Sequence, residues 1–507
     1  MMKLVKTKEQ LDIIEAAQKQ NRLLINAAAG ASKTTTLNFI AEVIKKPSLY
    51  LAFNKAIAVE ASGKFPDHVE CRTTHSLAYS SFGFDLQHKM SRPKGRYVNV
   101  AATSLEVARY YKLPTLECTL TDGDTKEISA GCLGLIVRET VKRFEQSADK
   151  EVGKNHIPHT QLKKLIPCSI TRSEAAELIL KTSRQCWQDR CDVHSDVMAT
   201  HGTYLKLFQL SNPKLEYEVI YLDEAQDTSD VVIDIFLKQQ HAKLIAVGDT
   251  YQAIYGWNGA VNAMNKLPFP KKQLTKSFRF GQSIADVATA VIQGKLKVEG
   301  FERVSSIIDD INTKKPYTMI FRGNAALLQE AVSLISQGNK VSVEVDTGDF
   351  IKVLDSAVAL QKGDMKNVKH DLVVPYSCWK DFVDVAKESG EIKRIVSIIL
   401  EGKAPMFRAT LSKVCKRDDA DITLTTCHKS KGREWDQVML ADDFPKWSES
   451  IPQEEINLMY VAATRVMKVL QINQSVFDAI KDYRQSLQAF NKYVRKELGD
   501  IESDYQD

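Results

Sequence analysis

INAAAGASKTTTLNFI, residues 25–40, is the segment from which the fold of this chain is first predicted. Its apolar start predicts a strand, its small residues predict a loop, and a helix is predicted from Lys33 onward. Backbone amides at the start of such a helix bind phosphate, the lysine reaches the outer phosphates, and the hydroxyl that follows ligates Mg²⁺. Ser32 stands where the phosphate-binding pattern has glycine. The stretch therefore predicts a nucleotide site, with an ordinary strand–helix turn as the alternative.

Alternation of apolar runs and helical patterns extends this prediction along the chain. Three runs before residue 76 read as strands, and helical patterns follow the first two, which indicates a parallel α/β sheet. The pattern returns near residue 217, and a further sheet is predicted from residue 317. The predicted strands are RLLINAAA (22–29), SLYLAFN (48–54), VECRTTH (69–75), YEVIYLDEAQD (217–227), AKLIAVGDTYQ (242–252), YTMIFRGN (317–324), DITLTTCH (421–428) and DQVMLADD (436–443).

Composition is that of an ordinary globular protein. The chain has 507 residues, of which 44% are hydrophobic and 26% charged, so two to four domains are expected. Its net charge of +5 permits a basic groove for nucleic acid without requiring one. No run of about 18 apolar residues predicts a membrane span, and the start MMKLVKTKEQ has no secretory pattern.

The nine cysteines are scattered and odd in number, which is typical of reduced thiols in the cytosol. Cys186, Cys191 and His194 lie close together in the sequence. Their spacing differs from that of common zinc sites, so we interpret these cysteines as buried or incidental thiols.

Acidic residues end the strand predicted in YEVIYLDEAQD. Carboxylates at the C-terminal end of a strand in a parallel sheet lie at the ligand edge. Asp223 is therefore predicted to hold hydrated Mg²⁺, and Glu224 to orient and deprotonate the attacking water. The alternative is an acidic turn without a catalytic role, which the phosphate-binding pattern upstream makes the weaker interpretation.

A third signal lies in LIAVGDTYQAIYGWNGA, residues 244–260. Gln252 follows the strand and is placed to sense a γ-phosphate. The neighbouring aromatic residues Tyr251, Tyr255 and Trp257 could stack on bases of a single strand, a contact that is largely insensitive to base sequence. Spacing alone leaves a structural role for Tyr255 and Trp257 equally open.

Several motifs together resemble those of UvrD/Rep/PcrA-like superfamily 1A DNA helicases. The wording of two of them, AFNKAIA…TTHSLAY and CHKSKGREWD, is most similar to the F-box DNA helicase branch and its phage and bacterial relatives. The resemblance spans about residues 7–468, and we expect no F-box segment before the motor. The motifs, in family order, are DEAQD, VGDTYQAIYGWNGA, KSFRF, TTCHKSKGREWDQV and NLMYVAATR.

The resemblance implies ATP and Mg²⁺ as cofactors. Gln10 is similar to the family's adenine-reading glutamine, Phe278 to the aromatic residue that stacks on adenine, and Glu434 to the residue that contacts the ribose. Arg279 and Arg465 resemble the two arginine fingers that stabilise charge on the γ-phosphate. With them, Lys33, Glu224 and Gln252 form the implied catalytic set, and Thr34 and Asp223 the implied metal site. The implied phosphate loop comprises Ala28, Ala29, Gly30, Ala31, Ser32, Lys33, Thr34 and Thr35.

The resemblance also implies a path for single-stranded DNA. The chain departs from the family pattern at Asn258, which replaces an arginine, and at Arg433, which replaces a leucine. It departs again at Ser32, which weakens the ATPase interpretation without overturning it. The residues at DNA-path positions are Phe53, Asn54, Thr74, His75, Tyr255, Trp257, Thr426 and His428.

The implied fold class is α/β, with two RecA-like parallel-sheet motor domains that each carry an inserted accessory subdomain. The second insertion is expected to be reduced. Motor domain 1A is expected at 1–83 and 215–270, with a mainly helical subdomain 1B at 84–214. Motor domain 2A is expected at 271–340 and 416–490, with subdomain 2B at 341–415 and a flexible acidic tail at 491–507.

The implied function is ATP-dependent translocation along single-stranded DNA, 3′→5′, with strand separation. Three alternatives stay open: a translocase that strips proteins without unwinding, a 5′→3′ helicase, and an inactive ATP-binding scaffold. The expected partners are single-stranded DNA, single-strand/duplex junctions, and replication or recombination proteins including a single-strand binding protein. We expect a monomer in the cytoplasm of a bacterium or of a phage-infected host, with no membrane partner.

Overall fold

The computed structural model describes residues 5–92, 100–119, 125–386 and 389–503. Its N-terminal part alternates strands and helices, as the sequence predicts. Helix α1 begins with a capping box, in which Thr7 and Gln10 each bond the other's backbone N–H. The elements are α1 (Lys8–Lys19), β1 (Arg22–Ala27), α2 (Lys33–Ile44), β2 (Ser48–Ala52), α3 (Lys55–Ser62), β3 (Val69–Thr73) and α4 (Thr74–Ala78).

Next comes the first insertion, which is mainly helical with one antiparallel hairpin between β4 and β5. It packs around a separate apolar core. The elements are α5 (Ser104–Tyr110), β4 (Leu116–Thr119), β5 (Thr125–Ile128), α6 (Ala130–Gln146), α7 (His159–Leu165), α8 (Ser169–Cys191) and α9 (His201–Leu210).

The chain then returns to the first sheet. The elements are β6 (Val219–Leu222), α10 (Asp230–Leu237), β7 (Lys243–Gly248), α11 (Ala263–Lys266) and β8 (Lys271–Leu274). The helix that follows, α12 (Gln282–Val291), packs on helices of the second sheet. The first sheet has the order β3-β2-β6-β7-β1-β8, and all its pairings are parallel. We call this sheet and the helices packed on it the first lobe.

A second parallel sheet, with its helices, forms the second lobe. Its elements are β9 (Ile307–Ile308), β10 (Tyr317–Phe321), α13 (Asn324–Ser336), β11 (Val341–Val343), α14 (Thr347–Gln361), α15 (Trp379–Ala386), α16 (Gly390–Leu400), α17 (Ala404–Leu411), β12 (Ile422–Thr426), α18 (Cys427–Ser430), β13 (Trp435–Leu440), α19 (Gln453–Ala463), β14 (Val466–Gln471) and α20 (Gln474–Ser503). The strand order is β11-β12-β10-β13-β14-β9.

Every strand predicted from the sequence is present, and the two-sheet α/β architecture is confirmed. The central strands β2 and β6 are buried along their whole length, because helices cover both faces of a parallel sheet. Buried side chains of both lobes, among them Ile25 and Val247 in the first and Leu440 and Leu458 in the second, join one apolar cluster. The two lobes therefore pack directly against each other.

Three contacts differ from the predicted division into domains, which stays a prediction. Strand β8, at 271–274, pairs with β1 in the first sheet, although 271–340 is predicted as part of the second motor domain. Strand β11 pairs with β12 in the second sheet, although 341–415 is predicted as the second insertion. Helix α9 lies within the predicted insertion 84–214, yet its Tyr204 and Phe208 pack into the core of the first lobe.

The C-terminal helix α20 runs through Ser503, well into the segment 491–507 that is predicted as a flexible tail. Residues 504–507 of that predicted tail lie outside the described residues. Among the residues that the structure describes, no helix is both long and apolar enough to cross a membrane.

Candidate functional site

Two residues that are not glycine take the left-handed conformation in the candidate site. Ser32, the last loop residue before α2, has φ 57° and ψ 46°, and Glu224, after β6, has φ 50° and ψ 43°. This conformation costs an L-residue roughly 1–2 kcal/mol. Ser32 thus adopts the backbone that glycine would adopt freely, and its side chain makes no capping bond to α2. Serine at this position therefore keeps the loop geometry that glycine would give, and the backbone is locally strained.

Gly30 brings the same loop close to the second half of the site. It has φ 75°, and a Cβ atom there would lie 2.5 Å from Ser277 Oγ and 2.8 Å from Arg279 Cβ. The carbonyl of Gly30 accepts a hydrogen bond from the backbone N–H of Phe278 at 2.9 Å. Only glycine permits this approach, so the phosphate loop and the segment 277–279 are held in contact.

Lys33 and the acidic strand end form one cluster. Lys33 Nζ lies 2.9 Å from Glu224 Oε1. The hydroxyl of Thr34 donates to Asp223 Oδ2 at 3.0 Å, and Tyr50 donates to the same oxygen. The other oxygen of Asp223 accepts from the backbone N–H of Glu224 at 2.8 Å. The residues predicted to hold phosphate and Mg²⁺ are therefore neighbours, although 189 positions separate Thr34 from Asp223 in the chain.

The electrostatics of this cluster favour a charged pair. Burial opposes ionisation of Glu224, but Lys33 and Lys431 together hold the pKa of its carboxyl well below the ordinary value. Burial likewise disfavours the ammonium of Lys33, yet Glu224 and Asp249 raise its pKa. Burial and the charge of Glu224 raise the pKa of Asp223. A divalent cation at Asp223 would relieve that repulsion.

The donor set fits Mg²⁺ bound together with a nucleotide. Mg²⁺ is usually held by one or two carboxylates, a hydroxyl and phosphate oxygens, and it keeps several waters. Thr34 and Asp223 supply such oxygens beside the loop. Within the described residues there is no group of three or more His, Cys, Asp or Glu side chains that could hold a metal on their own.

The second lobe contributes two arginines. Arg465, at the start of β14, is almost fully buried. It donates to the Val461 carbonyl at 2.9 Å and lies 3.5 Å from Gln252 Oε1. Arg279 is held by Glu434, with Nη2 2.6 Å from Oε1, and donates to the Thr464 carbonyl at 2.8 Å. Burial and then the charge of Arg279 lower the pKa of Arg465 to about 9, so it stays charged at neutral pH.

The residues predicted to hold the base and ribose flank this cluster. Gln10 is buried, and its amide accepts from the Thr7 N–H at 3.0 Å and donates to Thr36 Oγ1 at 3.1 Å. Thr36 lies on α2, so Gln10 is adjacent to the loop helix, but adenine would have to share its amide with these partners. Phe278 packs edge-on against Phe301, with ring centroids 5.2 Å apart.

Sequence reasoning missed three residues that connect the lobes. Tyr460 lies five positions before Arg465, and its hydroxyl contacts Asp249 at 3.2 Å. Lys431, in the CHKSKG motif, pairs with Asp227 and donates to the Gln252 carbonyl at 2.6 Å. Burial raises the pKa of Asp227 to about 6. These residues stand inside motifs that the sequence had singled out, so motif membership was the available signal.

The predicted DNA-path residues fall into two groups. Phe53, Tyr255, Trp257, His75 and His428 line two adjoining clefts of about 780 Å³ and 1030 Å³ on the first lobe and beside the first insertion. Phe53 and Tyr255 stack with centroids 6.0 Å apart, and Trp257 is 64% exposed. An open row of aromatic faces of this kind can accept stacked bases. The exposure of Trp257 excludes the core role that spacing had left open for it.

The remaining predicted DNA-path residues are placed differently. Thr74 and Thr426 are buried, and neither lines a described cleft. Asn54 lines the larger cleft but also caps α3 by accepting from the Ile57 N–H. Asn258, which replaces the family arginine, accepts from Gln146 of α6 through its carbonyl at 2.7 Å. That bond ties the first insertion to the aromatic segment.

Comparisons with known proteins identify the family of this chain. Residues 6–268 match the UvrD/REP helicase N-terminal domain, and residues 361–476 match the UvrD-like helicase C-terminal domain. The chain is 31% identical to F-box DNA helicase protein 1 of Schizosaccharomyces pombe and 30% identical to F-box DNA helicase 1 of Gallus gallus; both alignments cover 93% of this chain. It is 26% identical, over 54% of its length, to the Gabija protein GajB of Bacillus cereus.

The alignments span 57% of the yeast relative and 49% of the chicken relative, about half the length of those proteins. These relatives come from eukaryotes and bacteria, so our expectation of a bacterial or phage origin stays a prediction. The N-terminal domain match alone covers more than half of the residues, and it contains the phosphate loop and the acidic strand end. The chain therefore belongs to the UvrD/REP helicase family.

Proposed function

We propose that this protein is a DNA-dependent ATPase with helicase or translocase activity. ATP hydrolysis where its two lobes meet powers movement along DNA. The observation that carries the proposal is convergence. Lys33 pairs with Glu224 in the first lobe. A series of hydrogen bonds then runs from Glu224 through Gln226, Asp249 and Gln252 to Arg465 of the second lobe. Groups of opposite sign from two lobes at one cleft are what hydrolysis of a phosphoanhydride needs.

In the proposed reaction, Lys33 exchanges its partner Glu224 for phosphate oxygens when a triphosphate enters. Glu224 is then a free carboxylate that orients a water and accepts its proton. Mg²⁺ held by Thr34 and Asp223 would neutralise charge on the outer phosphates. Arg279 and Arg465 stabilise the charge that develops on the transferred group. Because both lobes supply groups, closure completes the site, and product release permits reopening.

Coupling to DNA follows from the position of the aromatic clefts. Tyr255 donates to the carbonyl of His428 at 3.0 Å, and His428 lies three residues before Lys431. A strand bound against Phe53, Tyr255 and Trp257 thus contacts the segment that reaches Asp227 beside the catalytic carboxylate. We propose 3′→5′ movement on single-stranded DNA with strand separation, as in the family. Movement that strips bound proteins without unwinding is the second candidate.

Two measurements test this function. ATP hydrolysis by the purified chain is expected to need Mg²⁺ and to rise at least tenfold when single-stranded DNA is added; hydrolysis that DNA leaves unchanged would contradict the proposal. Duplexes with a single 3′ or 5′ tail then report direction. Unwinding of the 3′-tailed substrate alone is expected, whereas DNA-stimulated hydrolysis without unwinding of either substrate favours the stripping translocase.

Replacing Trp257 by alanine is expected to weaken binding of single-stranded DNA by about 5- to 150-fold, since one base–aromatic stack contributes roughly 1–3 kcal/mol. The reason is the exposure of its ring at the edge of the smaller cleft. Fluorescence anisotropy of a labelled oligonucleotide measures the loss. Phe477→Ala, which removes an exposed aromatic ring from α20 outside both clefts, is the matched control. Equal affinities of the two variants would remove Trp257 from the DNA path.

A further inference from the structure

Tyr460 is a buried tyrosine whose hydroxyl joins three segments of the two lobes. It lies on α19 of the second lobe and is fully buried. Its hydroxyl oxygen accepts a hydrogen bond from the backbone N–H of Ala29 in the phosphate loop at 3.0 Å. The same hydroxyl donates to Oδ2 of Asp249, after β7, at 3.2 Å. One hydroxyl group therefore connects the phosphate loop, the end of strand β7 and helix α19, which precedes Arg465.

The partners of Tyr460 continue the connection to the groups proposed for the γ-phosphate. Asp249 is fully buried, and its Oδ2 also accepts from the side-chain amide of Gln252 at 2.7 Å. The other end of that amide, Oε1, lies 3.5 Å from Nη2 of Arg465. Arg465 follows Tyr460 by five residues, just past the end of the same helix. These hydrogen bonds form a continuous series from the phosphate loop through Tyr460, Asp249 and Gln252 to Arg465.

The hydroxyl of Tyr460 is not explained by packing. Tyr221, another fully buried tyrosine in the first lobe, has a hydroxyl without a hydrogen-bond partner. Its polar neighbour is Ser48 at the start of β2, which is not part of the predicted nucleotide site. At Tyr460, burial raises the pKa of the phenol far above its ordinary value, so the group stays protonated and can donate to Asp249. A fully buried hydroxyl with two partners fixes the relative position of those partners.

We propose that Tyr460 is a positioning residue that makes the closed arrangement of the lobes depend on the γ-phosphate. Through Ala29 it holds the loop, and through Asp249 it holds Gln252 against Arg465. A triphosphate that engages Gln252 and Arg465 gains from both contacts of the hydroxyl, whereas a diphosphate, which lacks the γ-phosphate, gains at most from the contact with the loop. The inference rests on the proposed nucleotide site and adds a residue that distinguishes triphosphate from diphosphate.

Tyr460→Phe tests the proposal, because it removes one oxygen atom and keeps the ring. Tyr221→Phe is the matched control, since it removes a buried hydroxyl that makes no hydrogen bond. Affinities are measured for ADP and for a non-hydrolysable ATP analogue, with Mg²⁺. In Tyr460→Phe the affinity for the analogue is expected to fall about tenfold, the size of one lost buried hydrogen bond, with ADP affinity within twofold of the parent. The control is expected to match the parent for both ligands.

Two results overturn the inference: unchanged affinity for the analogue, or equal losses of affinity for the analogue and ADP, which indicate a merely structural role. Should Tyr460→Phe fail to fold, Asp249→Ala removes the acceptor of the same bond, and its loss of affinity is expected to be larger for the analogue than for ADP. A parent chain that binds neither nucleotide defeats the proposed function itself. If the parent binds both nucleotides and the variants prefer the triphosphate as strongly as the parent does, only the proposed role of Tyr460 is disproved.

Discussion

Glu224→Gln is expected to lower the kcat of DNA-stimulated ATP hydrolysis by about 10²–10⁴-fold, the range for loss of a general base. The substituted amide keeps the size of the side chain but cannot accept a proton from water. In the structure the carboxyl of Glu224 is ionised and pairs with Lys33 at 2.9 Å. Nucleotide affinity is expected to change much less, because Lys33 remains available to the phosphates. Steady-state kinetics with saturating single-stranded DNA measures the loss.

Glu218→Gln is the control for this prediction. Glu218 directly precedes strand β6, and Glu224 follows it, so the two glutamates stand at opposite ends of one strand. Glu218 pairs with Lys46 at an exposed position. Its substitution is expected to leave hydrolysis unchanged, since exposed ion pairs contribute little to stability. If Glu224→Gln retained more than a tenth of the parent kcat, Glu224 would not be the base, and another group would have to accept the proton.

The architecture of two parallel sheets could be predicted because the pattern of apolar residues indicates which strands are buried. Strands such as SLYLA (48–52) are apolar throughout, and a strand buried on both faces has that pattern. Strand β8, with the sequence KKQL, was missed because it lies at a sheet edge with polar, partly exposed side chains. Its membership of the first sheet is fixed by pairing with β1, which no local pattern records.

The site could be predicted only in part, for a similar reason. Lys33, Asp223 and Glu224 stand in motifs whose chemistry is local, and the structure brings them together. The left-handed backbone of Ser32 and Glu224 depends on the loop and on the strand end around each residue. The sequence alone does not indicate that the backbone at Ser32 is strained. Tyr460 stood within a quoted motif, yet its two partners come from distant segments of the chain.

Burial explains why some of the predicted DNA contacts do not line the clefts. The stretch ITLTT (422–426) forms β12, which is buried along its whole length and lies between two neighbours in the second sheet. Thr426 ends that strand, so its hydroxyl is enclosed. A threonine in a short polar motif has the same sequence pattern whether its strand lies at the edge or in the middle of a sheet. The position of β12 within the sheet therefore determines that Thr426 is buried.

Arg465→Gln is expected to reduce kcat by about 10³-fold or more, since an arginine finger contributes roughly 10³–10⁵ to phosphoryl transfer. Arg465 is almost fully buried, and its hydrogen bonds go to the Val461 carbonyl, the Thr464 hydroxyl and the Gln252 amide oxygen. None of these partners is charged. Arg279 lies close enough that its charge disfavours the guanidinium of Arg465. The site therefore holds a buried positive charge that an anionic phosphate would neutralise.

The weak compensation of this charge gives the arginine prediction a second readout. Glu434 and Asp249 favour the charged guanidinium from a distance, but burial and the charge of Arg279 outweigh them. Because a poorly compensated buried ion destabilises the fold, Arg465→Gln is expected to unfold at the same temperature as the parent or a higher one. The parent is expected to gain thermal stability from a non-hydrolysable triphosphate analogue, and Arg465→Gln to lose most of that gain. Arg408→Gln, which breaks an exposed ion pair with Asp355 in the second insertion, is the control and should keep it.

Arg279→Gln separates the roles of the two arginines. Arg279 already has a carboxylate partner in Glu434, so its charge is compensated before any nucleotide enters. Its removal is expected to lower kcat while leaving the melting temperature of the free protein nearly unchanged. A variant of Arg465 that loses melting temperature yet keeps kcat within tenfold would show that the buried guanidinium serves the fold. The contribution of the second lobe to hydrolysis would then rest on Arg279 alone.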